Sequence, residues 1–173
     1  MLTYALAAAS CATTLVAAPA AAVPETDDAP TPCWSDQISV TASATQGAVG
    51  HRALTLTFAL AGGAAPCTLT GYPGVDSGAG GPLIHARPTP RGYMGGLPAG
   101  VNAPPIVTVS LSQQAQAIVE GMAIDGGGNG CPSYSDLLVN APNSIEVFTV
   151  PAAIDVCQLQ VHPITAAQPE SGQ

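Results

Sequence analysis

The chain has 173 residues and a formal net charge of -8, with eleven acids against three cations, Arg52, Arg87 and Arg91, and no lysine. Three cations cannot form a phosphate-binding face, and the acidic excess repels nucleic acid and anionic lipid over a Debye length of about 8 Å. Charged residues are only 8% of the chain while Gly (19) and Pro (17) are abundant; that composition fits many turns, few helices and one domain with tails.

From the N-terminus, Leu2 to Val16 are mostly Leu, Val and Ala, and the small-residue run Ala17 to Ala22 follows. This is the pattern of a secretory h-region and cleavage zone, although no Lys or Arg precedes it. The expected boundaries are a signal peptide at 1–22, a polar leader at 23–32, a β-sandwich domain at 33–164 and a mobile tail at 165–173. Ala8-Ala9-Ser10-Cys11 is a weak lipobox, so Cys11 is a candidate for lipidation, or else it leaves with the signal. No transmembrane span is expected once the signal is removed.

Removal of the signal leaves Cys33, Cys67, Cys131 and Cys157, the arithmetic of two disulfides in an oxidising compartment. Three pairings are open. Cys33 with Cys67 and Cys131 with Cys157 is favoured, because each bridge then clips one end of the domain to a strand nearby in sequence. None of the four sits in C-x-x-C or at zinc spacing from a His, so no metal site is expected. Trp34, beside Cys33, is expected to pack on the disulfide or the core edge.

Beyond Cys33 the hydrophobic period is two. Ile38, Val40 and Ala42 alternate with polar neighbours, as do Leu54, Leu56, Phe58 and Leu60, predicting two strands with one apolar face each. Cys67 to Leu69 reads as a third strand, ended by Gly71-Tyr72-Pro73-Gly74 with Pro73 and Gly74 at the centre of a type II turn. Leu83 to Ala86 reads as a fourth. Ile106 to Leu111 and Ala117 to Ile124 follow, joined by the polar turn Ser112-Gln113-Gln114, then Leu137 to Val139, Ile145 to Val150 and Leu159 to Val161. About nine short strands predict an all-β fold, an immunoglobulin-like antiparallel sandwich. Asp125 to Gly130 lacks the acids of a calcium loop and reads as a flexible approach to Cys131. The nineteen residues Arg87 to Pro105 contain no convincing strand, and loops of that length are usually functional or flexible.

Cys67-Thr68-Leu69-Thr70-Gly71-Tyr72-Pro73-Gly74-Val75 resembles the C-x-L-x-G-Y-P-G-V signature of domain-of-unknown-function family 4232, a group of secreted and lipid-anchored actinobacterial, often mycobacterial, domains. Arg91 to Leu97, Val109 to Leu111, Ala117 to Gly121, Cys131 to Tyr134, Leu137 to Val139 and Cys157 to Pro163 are similar to members of that family, in the same order. The resemblance covers about Cys33 to Pro163. It implies an exported β-sandwich with its four cysteines paired and a location in the envelope or medium, and it lends no activity, ligand or catalytic residue. Gln113-Gln114 stands where members often carry Pro-Gly.

No G-x-S-x-G elbow is present, and Ser77 has no histidine partner visible in the sequence. The expected function is therefore an exported, non-catalytic, monomeric binding or structural module, without cofactor, whose partner is a protein or glycan component of the envelope. Tyr72, Arg87, Arg91, Tyr93 and Met94 form the candidate binding patch, provided the Tyr72 turn and the long loop share one end of the sandwich. The alternatives are a small secreted hydrolase, which needs a His and an acid in contact in a cleft, and a copper carrier assembled from His51, His85, His162, Met94 and Met122.

Overall fold

Alternation decides the strands. In Leu54-Thr55-Leu56-Thr57-Phe58 every second side chain is buried, and the intervening threonines face outward. The computed structural model describes residues 30–168; the expected signal peptide, Cys11, the leader up to residue 29 and the tail from residue 169 lie outside the described residues. Within them the chain forms a 3-10 turn, η1 (Ser35–Gln37), and twelve strands: β1 (Ile38–Ala42), β2 (Gln46–Ala48), β3 (His51–Leu60), β4 (Cys67–Thr70), β5 (Gly74–Ser77), β6 (Arg87–Pro88), β7 (Ile106–Val109), β8 (Ala115–Met122), β9 (Ser133–Asn140), β10 (Val147–Asp155), β11 (Leu159–Val161) and β12 (Thr165–Ala166). The fold is all-β, and among the described residues no helix is long and apolar enough to cross a membrane.

Seven strands make the large sheet, in the order β1-β3-β8-β11-β6, with β2 added to β3 and β12 to β8; β10-β9-β5 and β4-β7 form two smaller sheets. The smaller sheets cover one face of the large one, β10 meeting β1 and β3, β7 meeting β3 and β8, and β5 meeting β11. The core between them joins Leu54, Leu56, Phe58, Ala117, Val119 and Val161 to Leu69, Val109, Leu137, Val139, Val150 and Ile154. This layering is compatible with the immunoglobulin-like sandwich suggested by the strand pattern. The register sets Leu54 opposite Val119 and Leu56 opposite Ala117 on the inner face, which leaves Ala53 opposite Glu120 and Thr55 opposite Ile118 on the outer face.

Several elements differ from expectation. Twelve strands replace about nine, because β2, β5, β6 and β12 are too short or too rich in small residues to show a period. Gly74 does not sit in the turn but opens β5; the positive φ is at Gly71 (+93°), so the chain turns there, before Pro73. Leu83 to Ala86 is not a regular strand, although Ile84 and Ala86 exchange backbone hydrogen bonds with Ser77 and Val75 along β5. Strand β10 runs through Pro151 to Asp155, with a register shift between Pro151 and Ile154; a proline without an N–H is tolerated at such an irregularity. Thr165 and Ala166, expected in the tail, pair with β8.

Cys33 is bonded to Cys67 and Cys131 to Cys157, closing loops of 34 and 26 residues. The first bridge works with a parallel pairing, in which Thr68 donates its N–H to Thr31 and accepts from Cys33. The second ties the connection between β8 and β9 to that between β10 and β11. Asp125 to Gly130 is a closed turn, in which the Asp125 carboxylate accepts from Gly127 N, Asn129 N and the Asn129 amide.

Loop closure predicts that replacing either cysteine pair by serine lowers stability by about 3.5 to 4 kcal/mol, read as a fall in urea midpoint. The Asn129 side chain first, then its backbone N–H, holds the Asp125 carboxyl below its ordinary range. A depressed carboxyl stabilises fully above its unfolded pKa of about 3.9 and loses that contribution as pH falls through the lower folded value. Protection of the Gly127 and Asn129 amides, measured relative to their intrinsic exchange rates, is therefore expected to fall in that acidic window, and an Asp125→Ala variant to show no such pH response.

Candidate functional site

The long loop closes into a hairpin tip. Leu97 N donates to Pro90 O at 2.7 Å and Gly92 N to Gly95 O at 2.8 Å, with Arg91 bridged to Gly96. The Arg91 guanidinium does not reach out for a partner. It donates to the carbonyls of Leu97 (3.3 Å), Pro98 (3.1 Å) and Val101 and to Asn102 Oδ1, wrapping the second half of the loop around one cation. Five fixed donors in a planar fork suit a cluster of carbonyls better than the mobile ammonium of a lysine would.

The tip lies down on the outer face of the large sheet, where Glu120 of β8 receives it. Tyr93 N donates to Glu120 Oε1 at 2.9 Å and Met94 N to Oε2 at 2.6 Å, and the carboxylate is only 2% exposed. A buried carboxylate is costly unless hydrogen-bonded, and two N–H groups offset much of that cost. The approach needs glycine, since a Cβ at Gly92 would overlap the Glu120 carboxylate. Behind it lies His162, 0% exposed, with Nδ1 at 3.0 Å from Thr89 O. A carbonyl only accepts, so Nδ1 carries the proton. Nε2 then faces Glu120 Oε2 at 3.6 Å, too far for a hydrogen bond, and among the described residues it has no hydrogen-bond partner.

This latch displays Tyr93 and leaves Met94 half-buried. Tyr93 is 59% exposed as a residue, and its ring stacks on His51 of β3 with centroids 4.2 Å apart. Met94 lines a small hollow with Ser43, Gln46, Ala53, Thr55 and Ile118. Ser43 and Thr55 also line a polar groove of about 650 Å³ that includes Thr57, Gln114 and Gln116. Of the candidate patch, Arg91, Tyr93 and Met94 share the tip, but Arg91 is spent on its own loop. Arg87 is exposed on β6, beside Gln160 of β11. Tyr72 is half-buried after β4, whose Thr70 pairs with Ile106 just past the end of the loop. It therefore lies where the loop finishes, not at the tip. Glu120 and His162 as tethers were not foreseen. The available signal was that Arg91 to Leu97, Ala117 to Gly121 and Cys157 to Pro163, three stretches carrying the family resemblance, meet here.

Two histidines touch carboxylates. His85 Nδ1 is 2.7 Å from Asp76 on the surface. Ser77, the next residue along β5, points the opposite way into the core, where its Oγ accepts from Ile84 N and donates to Pro82 O. Thr89 Oγ1, His162 and Glu120 fall in the order hydroxyl, imidazole, carboxylate, with Thr89 Oγ1 at 3.2 Å from Nδ1. Because Nδ1 carries a proton, it has no lone pair with which to activate that hydroxyl. His51 and Met122 are register partners across β3 and β8, His85 is paired with Asp76, and His162 lies behind Glu120.

A family described as a domain of unknown function, DUF4232, matches residues 33–165. No curated protein matches the chain, and no solved structure does.

A Glu120→Ala variant leaves two part-buried amides unpaired and is expected to cost about 3 kcal/mol, with exchange protection lost at Tyr93 and Met94. A Gly92→Ala variant is expected to act in the same direction by displacing the carboxylate. Unchanged protection at the tip in both would show that the latch does not hold the loop.

Proposed function

The chain belongs to the DUF4232 family, and on that premise we propose that it is an exported, non-catalytic binding module of the bacterial envelope or medium. It engages a protein or glycan component there through the latched tip and the groove beside it. The observation that carries this reading is the fixation of Tyr93 and Met94: a buried Glu120 and a consumed Arg91 hold the tip in place while the tyrosine ring stays exposed. Ordering the loop beforehand removes an entropic cost that a partner would otherwise bear on binding. Export is supported by the two disulfides, a mark of oxidising compartments. A passive role is supported by the hydroxyls nearest each histidine–carboxylate pair, which are engaged with main chain or lack a base.

The test is retention of the secreted protein on washed bacterial envelope material. Tyr93→Ala combined with Met94→Ala is expected to weaken retention about tenfold or more, since such anchors carry most of an interface's energy, while the urea midpoint stays near wild type. Retention equal to wild type would remove the proposal. Intact mass of the protein from culture medium is expected to show no signal peptide and to gain two hydrogens per bridge on reduction.

A further inference from the structure

Trp34 departs from expectation. It does not pack into the core edge; it is 73% exposed. A large exposed ring costs solvation free energy and adds nothing to the core, so its position calls for a cause. Its backbone is nevertheless fixed. Cys33 is held by the bridge to Cys67 and by its hydrogen bond to Thr68, Trp34 N donates to Gln37 Oε1 at 2.8 Å, and Ser35 Oγ meets Ser144 Oγ at 2.8 Å.

Trp34 lines two clefts. One, of about 480 Å³, is lined by Thr31, Cys33, Thr68, Thr70, Pro142 and Asn143 besides Trp34. The other, of about 280 Å³, is lined by Ser35, Asn143, Ser144, Ile145 and Glu146. The larger cleft has the size of a small-molecule site and no charged side chain. Thr68 and Thr70, half-buried alternates to the buried Cys67 and Leu69 along β4, line it, and Leu69 borders it too. The Thr68 hydroxyl donates to Pro30 O, whereas among the described residues no side-chain hydrogen bond involves Thr70 or Asn143.

We propose that Trp34 and the cleft floored by Thr68, Thr70 and Asn143 form a site for a neutral sugar, one ring of which stacks on the indole. The chemistry is complementary on both sides. A pyranose or furanose presents a face of polarised C–H groups to the negative π face of an aromatic ring, and its rim of hydroxyls both donates and accepts. Threonine hydroxyls and an asparagine amide do likewise, and an uncharged cleft in a protein of net charge -8 has nothing to hold an anion. An extended peptide is poorly served, because the edge of β4 is occupied on one side by residues 31–33 and on the other by β7, leaving no main-chain row to pair. The site goes beyond the loop-tip reading and stands on different residues, so either can fail alone.

Trp34 is the single tryptophan of the full chain, so its fluorescence reports this site without interference. Cellohexaose, maltohexaose and an arabinose hexasaccharide, titrated in turn, are the probes, with a proline-rich peptide as competitor. At least one sugar is expected to shield the indole from acrylamide quenching saturably. By calorimetry, Trp34→Ala is expected to weaken that sugar about tenfold or more, Trp34→Tyr to retain most affinity, and Asn143→Ala and Thr70→Val to lose several-fold. The exposed ring should be removable without moving the urea midpoint, and Tyr93→Ala should leave the sugar titration unchanged. Shielding by the peptide alone, by no probe, or equal affinity in Trp34→Ala would each overturn the proposal.

Discussion

A carboxylate shut away from water beneath a loop must be answered by donors, and in this protein the donors are two consecutive main-chain amides at the loop's own tip. The arrangement is reciprocal. Lifting the tip would expose or orphan Glu120, and losing Glu120 would leave Tyr93 N and Met94 N unpaired, so loop and sheet hold each other. Hydrogen bonds to a charged group contribute about 1.5 to 3 kcal/mol each, and two of them are a sizeable share of a domain stability of about 5 to 15 kcal/mol. His162 completes the floor, its Nδ1 committed to Thr89 and its Nε2 turned to the carboxylate.

Charge in this protein is scarce and is used inwardly. Of three cations, Arg91 binds four oxygens of its own loop and Arg52 donates to the carbonyl of His51. Neutral aromatic side chains stand out at the surface instead: a tyrosine stacked on a histidine at the tip, and a tryptophan lining two clefts beside the Cys33–Cys67 bridge. The bridges belong to the same logic. A chain with few salt bridges and many glycines and prolines gains from covalent closure, and Cys33–Cys67 also fixes the residue beside which Trp34 stands.

How much of this could be read from the residues depends on the physics each feature obeys. The period of two in Leu54 to Leu60 and in Ala117 to Met122 reports which side chains turn inward, because a strand has only two faces; the all-β class and most of the central sheet followed from it. The same alternation places Glu120 on the face away from the core, where an acid ordinarily meets water. That it meets Tyr93 and Met94 instead depends on the path of a loop without a period. Backbone amides, being common to every residue, leave no signature of which two will turn toward it.

The amino-acid order alone therefore determined an acidic all-β chain, four cysteines suited to two bridges, and one loop long and unusual enough to single out. Only the tertiary structure decided that Arg91 is spent on its own loop, that Tyr93 is displayed, that Gly74 begins a strand, and that Trp34 faces solvent beside a disulfide. The reason is range: alternation and turn chemistry act between neighbours, whereas residues 92–94, 120 and 162 acquire their roles by meeting across separations that local patterns do not encode.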